Sequence, residues 1–186
     1  VGIGVSSNAS ATSTTAVGSY ANASADYATA LGTGSAASGG FSIASGYASK
    51  AMGDTSMALG FSAIANNTQA IAMGTGANSS AHSSVAIGAE SRSNANNAVA
   101  MGVQANASGV DSMALGTVAT ASGETSIAIG RTSVANASQS MAMGVQSQAS
   151  GVNAMAFGAN SNANLENSVA LGTDSVTDKV GVSLPS

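Results

Sequence analysis

A glycine returns at every fourteenth residue of this chain: Gly4, Gly18, Gly32, Gly46, Gly60, Gly74, Gly88, Gly102, Gly116, Gly130, Gly144, Gly158 and Gly172. No insertion or deletion interrupts the ladder. A fixed period of this kind is the signature of a repeat architecture, in which each short unit buries its apolar surface only against its neighbours. The composition agrees with thin, repeated layers. Of 186 residues, 6% are charged and 3% aromatic, with one proline, no tryptophan and no cysteine. Large side chains are too few to fill a deep globular interior.

Around each glycine the residues fall into classes. Three positions before it stands a medium or large apolar residue, as in Ile43, Met57, Ile71, Val85, Val99, Met113, Ile127, Met141, Met155 and Val169. One position before it stands another, as in Val17, Leu31, Leu59, Met73, Ile87, Met101, Leu115, Ile129, Met143, Phe157 and Leu171, with Ser45 the one break. Alanine lies between them in every complete copy, for example Ala86, Ala100, Ala114 and Ala128. Downstream, the third and fifth positions are small (Ala105 and Ala107, Ser161 and Ala163) and the fourth is mostly polar (Asn78, Arg92, Gln148). The seventh is Gly, Ala or Asn in almost every copy, and turn-forming or polar pairs such as Asp54-Thr55 and Glu124-Thr125 follow it.

Alternation with period two on both segments predicts two short strands per repeat. Glycine after the first segment supplies the backbone freedom of a tight corner. Each copy is then one coil of an all-β solenoid with parallel ladders along its axis. At roughly 4.8 Å per coil the rod is about 60 Å long. Fourteen is also two heptads, but coiled-coil seams need apolar spacings of three and four, and these residues sit two apart. A glycine in every second heptad would further weaken a helix by about 1 kcal/mol each.

The alternation also predicts faces. On the first strand the large pair points one way, with alanine and glycine opposite. On the second, the small third and fifth positions oppose the polar fourth. Pairing the two small faces gives a thin interior of Ala, Ser and Gly and leaves the large columns outside. Burying two such side chains per coil is worth roughly 1.5–3 kcal/mol each, enough over a dozen coils for a permanent assembly. The alternative turns the large residues inward and makes a self-sufficient monomer, at the cost of all-small columns facing water. The expectation is the assembly.

Two copies write the motif out: Ser84-Val85-Ala86-Ile87-Gly88-Ala89-Glu90-Ser91 and Asn167-Ser168-Val169-Ala170-Leu171-Gly172-Thr173-Asp174-Ser175. They resemble the N-S-V-A-I-G-x-x-S element of YadA-like heads in trimeric autotransporter adhesins of Gram-negative bacteria. The resemblance covers thirteen consecutive copies, residues 1–175. It implies a left-handed parallel β-roll of 14-residue coils, three identical chains side by side, and display on an outer-membrane-anchored fibre whose anchor lies outside this chain. It places Val85, Ile87, Val99, Met101, Met113, Leu115, Ile127, Ile129, Met141, Met143, Met155, Phe157, Val169 and Leu171 at the three-fold axis. It also implies binding to host matrix proteins of the collagen, fibronectin and laminin class. The chain opens mid-pattern at Val1-Gly2-Ile3-Gly4, as a piece of a longer array would. The period is lost in residues 176–186, read as an exit segment and the possible start of a neck.

The residues that carry chemistry are sparse. Net charge is −4, and Lys50, Arg92, Arg131 and Lys179 are dispersed, so no basic patch points to nucleic acid. No apolar run approaches the roughly 20 residues of a membrane-spanning helix. His82, the one histidine, falls on a turn without a second ligand or base, and Asp54, Glu90, Asp111 and Glu124 do not converge. The glycines are periodic corners, not a phosphate-binding loop, and aspartates at calcium-repeat positions are missing. The expectation is a non-catalytic chain without cofactor or metal. Its head adheres to host surfaces by multivalent contacts, or alternatively serves as a structural spacer in a fibre whose binding lies elsewhere.

Overall fold

The computed structural model describes residues 1–177. They wind into thirteen coils that build two parallel sheets of thirteen strands each. The three-residue strands of sheet A run from Thr15–Val17 through Val85–Ile87 to Val169–Leu171, preceded by Gly2–Ile3. The two-residue strands of sheet B run from Asn8–Ala9 through Arg92–Ser93 to Val176–Thr177. Each strand pairs in register with its equivalent fourteen residues on, as Val85 with Val99 and Ile87 with Met101. The equal length of every copy is what makes this register possible, because a single inserted residue would turn every later side chain to the opposite face. Val176–Thr177 still pairs with Asn162–Ala163, so the coil pattern extends two residues into the segment read as an exit. The remainder of that segment, 178–186, lies outside the described residues.

The interior is thinner than an ordinary sandwich. Four columns fill it: the third and fifth positions after each ladder glycine, and the positions two and four before the next. They are Ala and Ser, with Thr14 at one end, and the largest fully buried side chains are serines. Two corrections to the sequence reading follow. The column four before glycine (Ala28, Ser84, Ala98, Ser126) is buried and completes the core, although nothing in its mixed composition announced it. The ladder glycines, by contrast, are not buried, unlike Gly39, Gly109, Gly123 and Gly151 at the second corner. A Cβ built on Gly88 or Gly102 points along the rod and meets the carbonyl oxygen of the next ladder glycine at 2.5 Å.

Both corners of the coil share one hydrogen-bonding pattern, although only the first begins with a residue of positive φ. At the first, the amide of the third residue after glycine donates to the glycine carbonyl, as Ser35 to Gly32 at 3.2 Å, and the serine hydroxyl adds a second bond at 2.8 Å. At the second, seven residues on, Ser126 donates to the Gly123 carbonyl through its amide at 3.2 Å and its hydroxyl at 2.7 Å. The residue two after each corner's start has positive φ in both cases, as Val118 at 59° and Thr125 at 53°, which is the third position of a type II turn. The structural unit is therefore seven residues used twice per coil. Most of the buried serines are matched to it, giving their hydroxyl proton to the turn carbonyl, whereas the Ser42, Ser56 and Ser112 hydroxyls have no partner among the described residues.

Candidate functional site

With the interior closed by Ala and Ser, everything able to meet a partner lies on two faces and two edges. The outer face of sheet A carries the large apolar columns. Val85, Ile87, Val99, Met113, Leu115, Ile127, Ile129, Met141 and Phe157 are half-buried on it, held only by their stacked neighbours. Met101, Met143, Met155, Val169 and Leu171 are more open, Leu171 at 75%. None of the fourteen enters the core. They form a continuous Val/Ile/Leu/Met stripe of a kind that water-exposed surfaces rarely keep. Gly18, Gly32, Gly46, Gly60, Gly74, Gly88, Gly102, Gly116, Gly130, Gly144, Gly158 and Gly172 begin the first corner, at the end of this sheet, with φ from 113° to 143°.

The outer face of sheet B is mostly polar, with Ile64 and Val134 among the exceptions, and some of its side chains bond to their own equivalents in the next coil. Asn8 Nδ2 donates to Asn22 Oδ1 at 3.1 Å, and Ser80 Oγ to Asn94 Oδ1 at 3.0 Å. Similar rungs continue on the corners: Gln104 Nε2 donates to Glu90 Oε2 at 2.9 Å, and Asn160 Nδ2 to Asp174 Oδ1 at 3.0 Å. Groups spent on each other in this way are less available to a ligand.

Aromatic residues were not singled out in the sequence, yet their distribution is uneven. Tyr20, Tyr27, Phe41, Tyr47 and Phe61 fall within residues 20–61, leaving only Phe157 elsewhere. All five stand on corners and are more than half exposed. Tyr27 and Phe41 stack at 4.7 Å with ring planes 8° apart, and Tyr47 and Phe61 at 5.2 Å and 10°. These separations match the coil spacing, so the register of the solenoid sets the stacks. Clustering of a rare residue type was the signal available beforehand.

Among the described residues no group of three or more His, Cys, Asp or Glu gathers as a metal site would require, and no enclosed pocket forms. His82 is exposed, and its amide, not its ring, bonds to Asn96 Oδ1 at 3.3 Å.

This geometry defines a parallel β-solenoid of fourteen-residue coils with one apolar and one polar outer face. The chain belongs to the YadA head-repeat family: the family model described as YadA head domain repeat (2 copies) matches residues 1–21, 9–35, 23–49, 37–63, 51–77, 65–91, 93–119, 121–147 and 149–175. Among solved structures, the collagen-binding domain of the Yersinia adhesin YadA is 28% identical, with 91% of this chain and 71% of that chain covered and a TM-score of 0.31. No curated protein matches the chain.

Proposed function

We propose that this chain is the head of a trimeric bacterial surface adhesin, a non-catalytic rod that attaches to host extracellular matrix or cell surfaces. Three identical chains wind as left-handed rolls and pack their sheet A faces around a common axis, with the polar sheet B faces and the corners turned outward. The fibre that displays the head is anchored in the outer membrane through segments beyond this chain. The observation that carries the reading is membership of the YadA head family in a chain whose large apolar columns all point out of its own core.

Adhesion by such a rod is multivalent. Three copies of a weak contact, held at fixed spacing, raise avidity without any deep pocket. Solid-phase binding of the folded chain to immobilised collagen, fibronectin and laminin tests it. Saturable binding to at least one is expected. Absence of binding to all three would leave the chain a spacer, a role that the self-paired side-chain rungs of sheet B would suit.

A further inference from the structure

The two edges of the rod differ in charge. The edge made by the second corner, seven to nine residues after each ladder glycine, carries among the described residues five carboxylates (Asp26, Asp54, Asp111, Glu124 and Glu166), His82 and no lysine or arginine. At one place on it the carboxylates meet aromatic rings. Tyr27 and Phe41, 51% and 63% exposed, form their stack here. Their neighbours in the same column, Ser13 and Thr55, are too small to cover the outer faces of the two rings.

The carboxylates on either side are fixed. Asp26 Oδ1 accepts the Thr12 amide and Asp54 Oδ1 accepts the Gly40 amide, each at 2.9 Å. The second oxygen of each makes no hydrogen bond among the described residues. Between the two aspartates Gly40 has no side chain, and a Cβ there would meet nothing closer than Asp54 Oδ1 at 3.6 Å. The result is an open shelf with a ring stack along one side and an oriented carboxylate at each end.

We propose that this shelf docks arginine side chains of a partner protein. Charge complementarity calls for a cation on an edge whose described residues hold no lysine or arginine. The aromatic stack narrows the choice to guanidinium, which lies flat on a ring face while its fork of N–H donors reaches a carboxylate. A lysine ammonium, compact and strongly hydrated, gains less from the ring. The inference rests on the adhesive reading for the partner's being a host protein. The shelf's chemistry does not depend on it.

The test titrates the full chain with a Gly-Arg repeat peptide and its Gly-Lys counterpart by calorimetry at physiological salt. Two double variants keep the fold in view. Asp26→Asn with Asp54→Asn retains the amide bonds, since Asn96 makes the same bond at the same corner position. Tyr27→Ser with Phe41→Thr installs residue types already present in that column, and circular dichroism verifies each fold. The expected results are preference for the arginine peptide by about fivefold and loss of about tenfold in either double variant. A control, Asp111→Asn with Glu124→Gln, changes binding by less than about twofold. Equal affinity for the two peptides, an equal loss in the control, or no saturable binding overturns the proposal. Matrix binding that survives both double variants removes this site and leaves the adhesive reading intact. Peptide binding without matrix binding does the reverse.

Discussion

Val118 illustrates what each residue of the corners tolerates. It is β-branched and yet has φ 59°, one of twenty-three non-glycine residues with φ between 52° and 60°. The left-handed region costs an L-residue roughly 1–2 kcal/mol. Here the parallel ladder on either side dictates the turn and imposes the conformation. Asparagine bears it better, and Asn97, Asn153, Asn160 and Asn167 already occupy such positions. Val118→Asn is therefore expected to stabilise the fold by about 0.5–1 kcal/mol, seen as a higher denaturant midpoint with unchanged slope. The ladder glycines differ, because φ near 130° admits almost no other residue and the next coil lies within contact. Gly102→Ala forces a Cβ against the Gly116 carbonyl at 2.5 Å and is expected to cost about 2 kcal/mol or more. A Cβ on Gly123 meets the Ala137 carbonyl oxygen even more closely, but φ there is not positive. The backbone can shift to the form that alanines take in this column, so Gly123→Ala should cost less. The same corner position holds Ala81, Ala95 and Ala137 elsewhere without positive φ, so the chain has a backbone for it. Equal losses at the two sites, in parallel denaturation curves, would contradict this distinction.

At the scale of the strand, the core admits nothing larger than threonine because the two sheets are drawn together by corners only four residues long. Ala114, fully buried on sheet A and stacked on Ala100 and Ala128, has no room to grow. Ala114→Val should destabilise by about 1–3 kcal/mol through overpacking. On the neighbouring outward position, Met113→Gln should leave the fold of the isolated chain nearly unchanged. Chemical denaturation of the two variants, read by circular dichroism, separates interior from exterior. Much of this was legible in the sequence. The inward alanines and outward Val/Ile/Met columns alternate with period two, and a constant repeat length implies register. Less visible was the second corner, since glycine marks it only in some coils and its left-handed residues include Tyr27, Gln69 and Thr125. The buried column of Ser84 and Ala98 was equally obscure, because Ala, Ser and Thr report neither burial nor exposure. The aromatic edge required knowing which columns share a corner.

For the whole molecule, the proposed trimer draws stability and assembly from different surfaces. Backbone ladders and the small-residue core hold each coil to the next, whereas the apolar stripe on sheet A contributes little until another surface covers it. Charge placed on that stripe should therefore break assembly before it breaks the fold. Ile127→Glu with Met141→Glu is expected to yield a chain with unchanged circular dichroism and one third of the native assembly's mass. Burial of the stripe between chains is the claim on which head architecture, outward display of the polar face and multivalent adhesion all depend. Sedimentation equilibrium of the unmodified chain tests it directly. A single species of three times the 17.5 kDa chain mass, persisting to low micromolar concentration, is the predicted result. A well-folded 17.5 kDa monomer at tens of micromolar would contradict it.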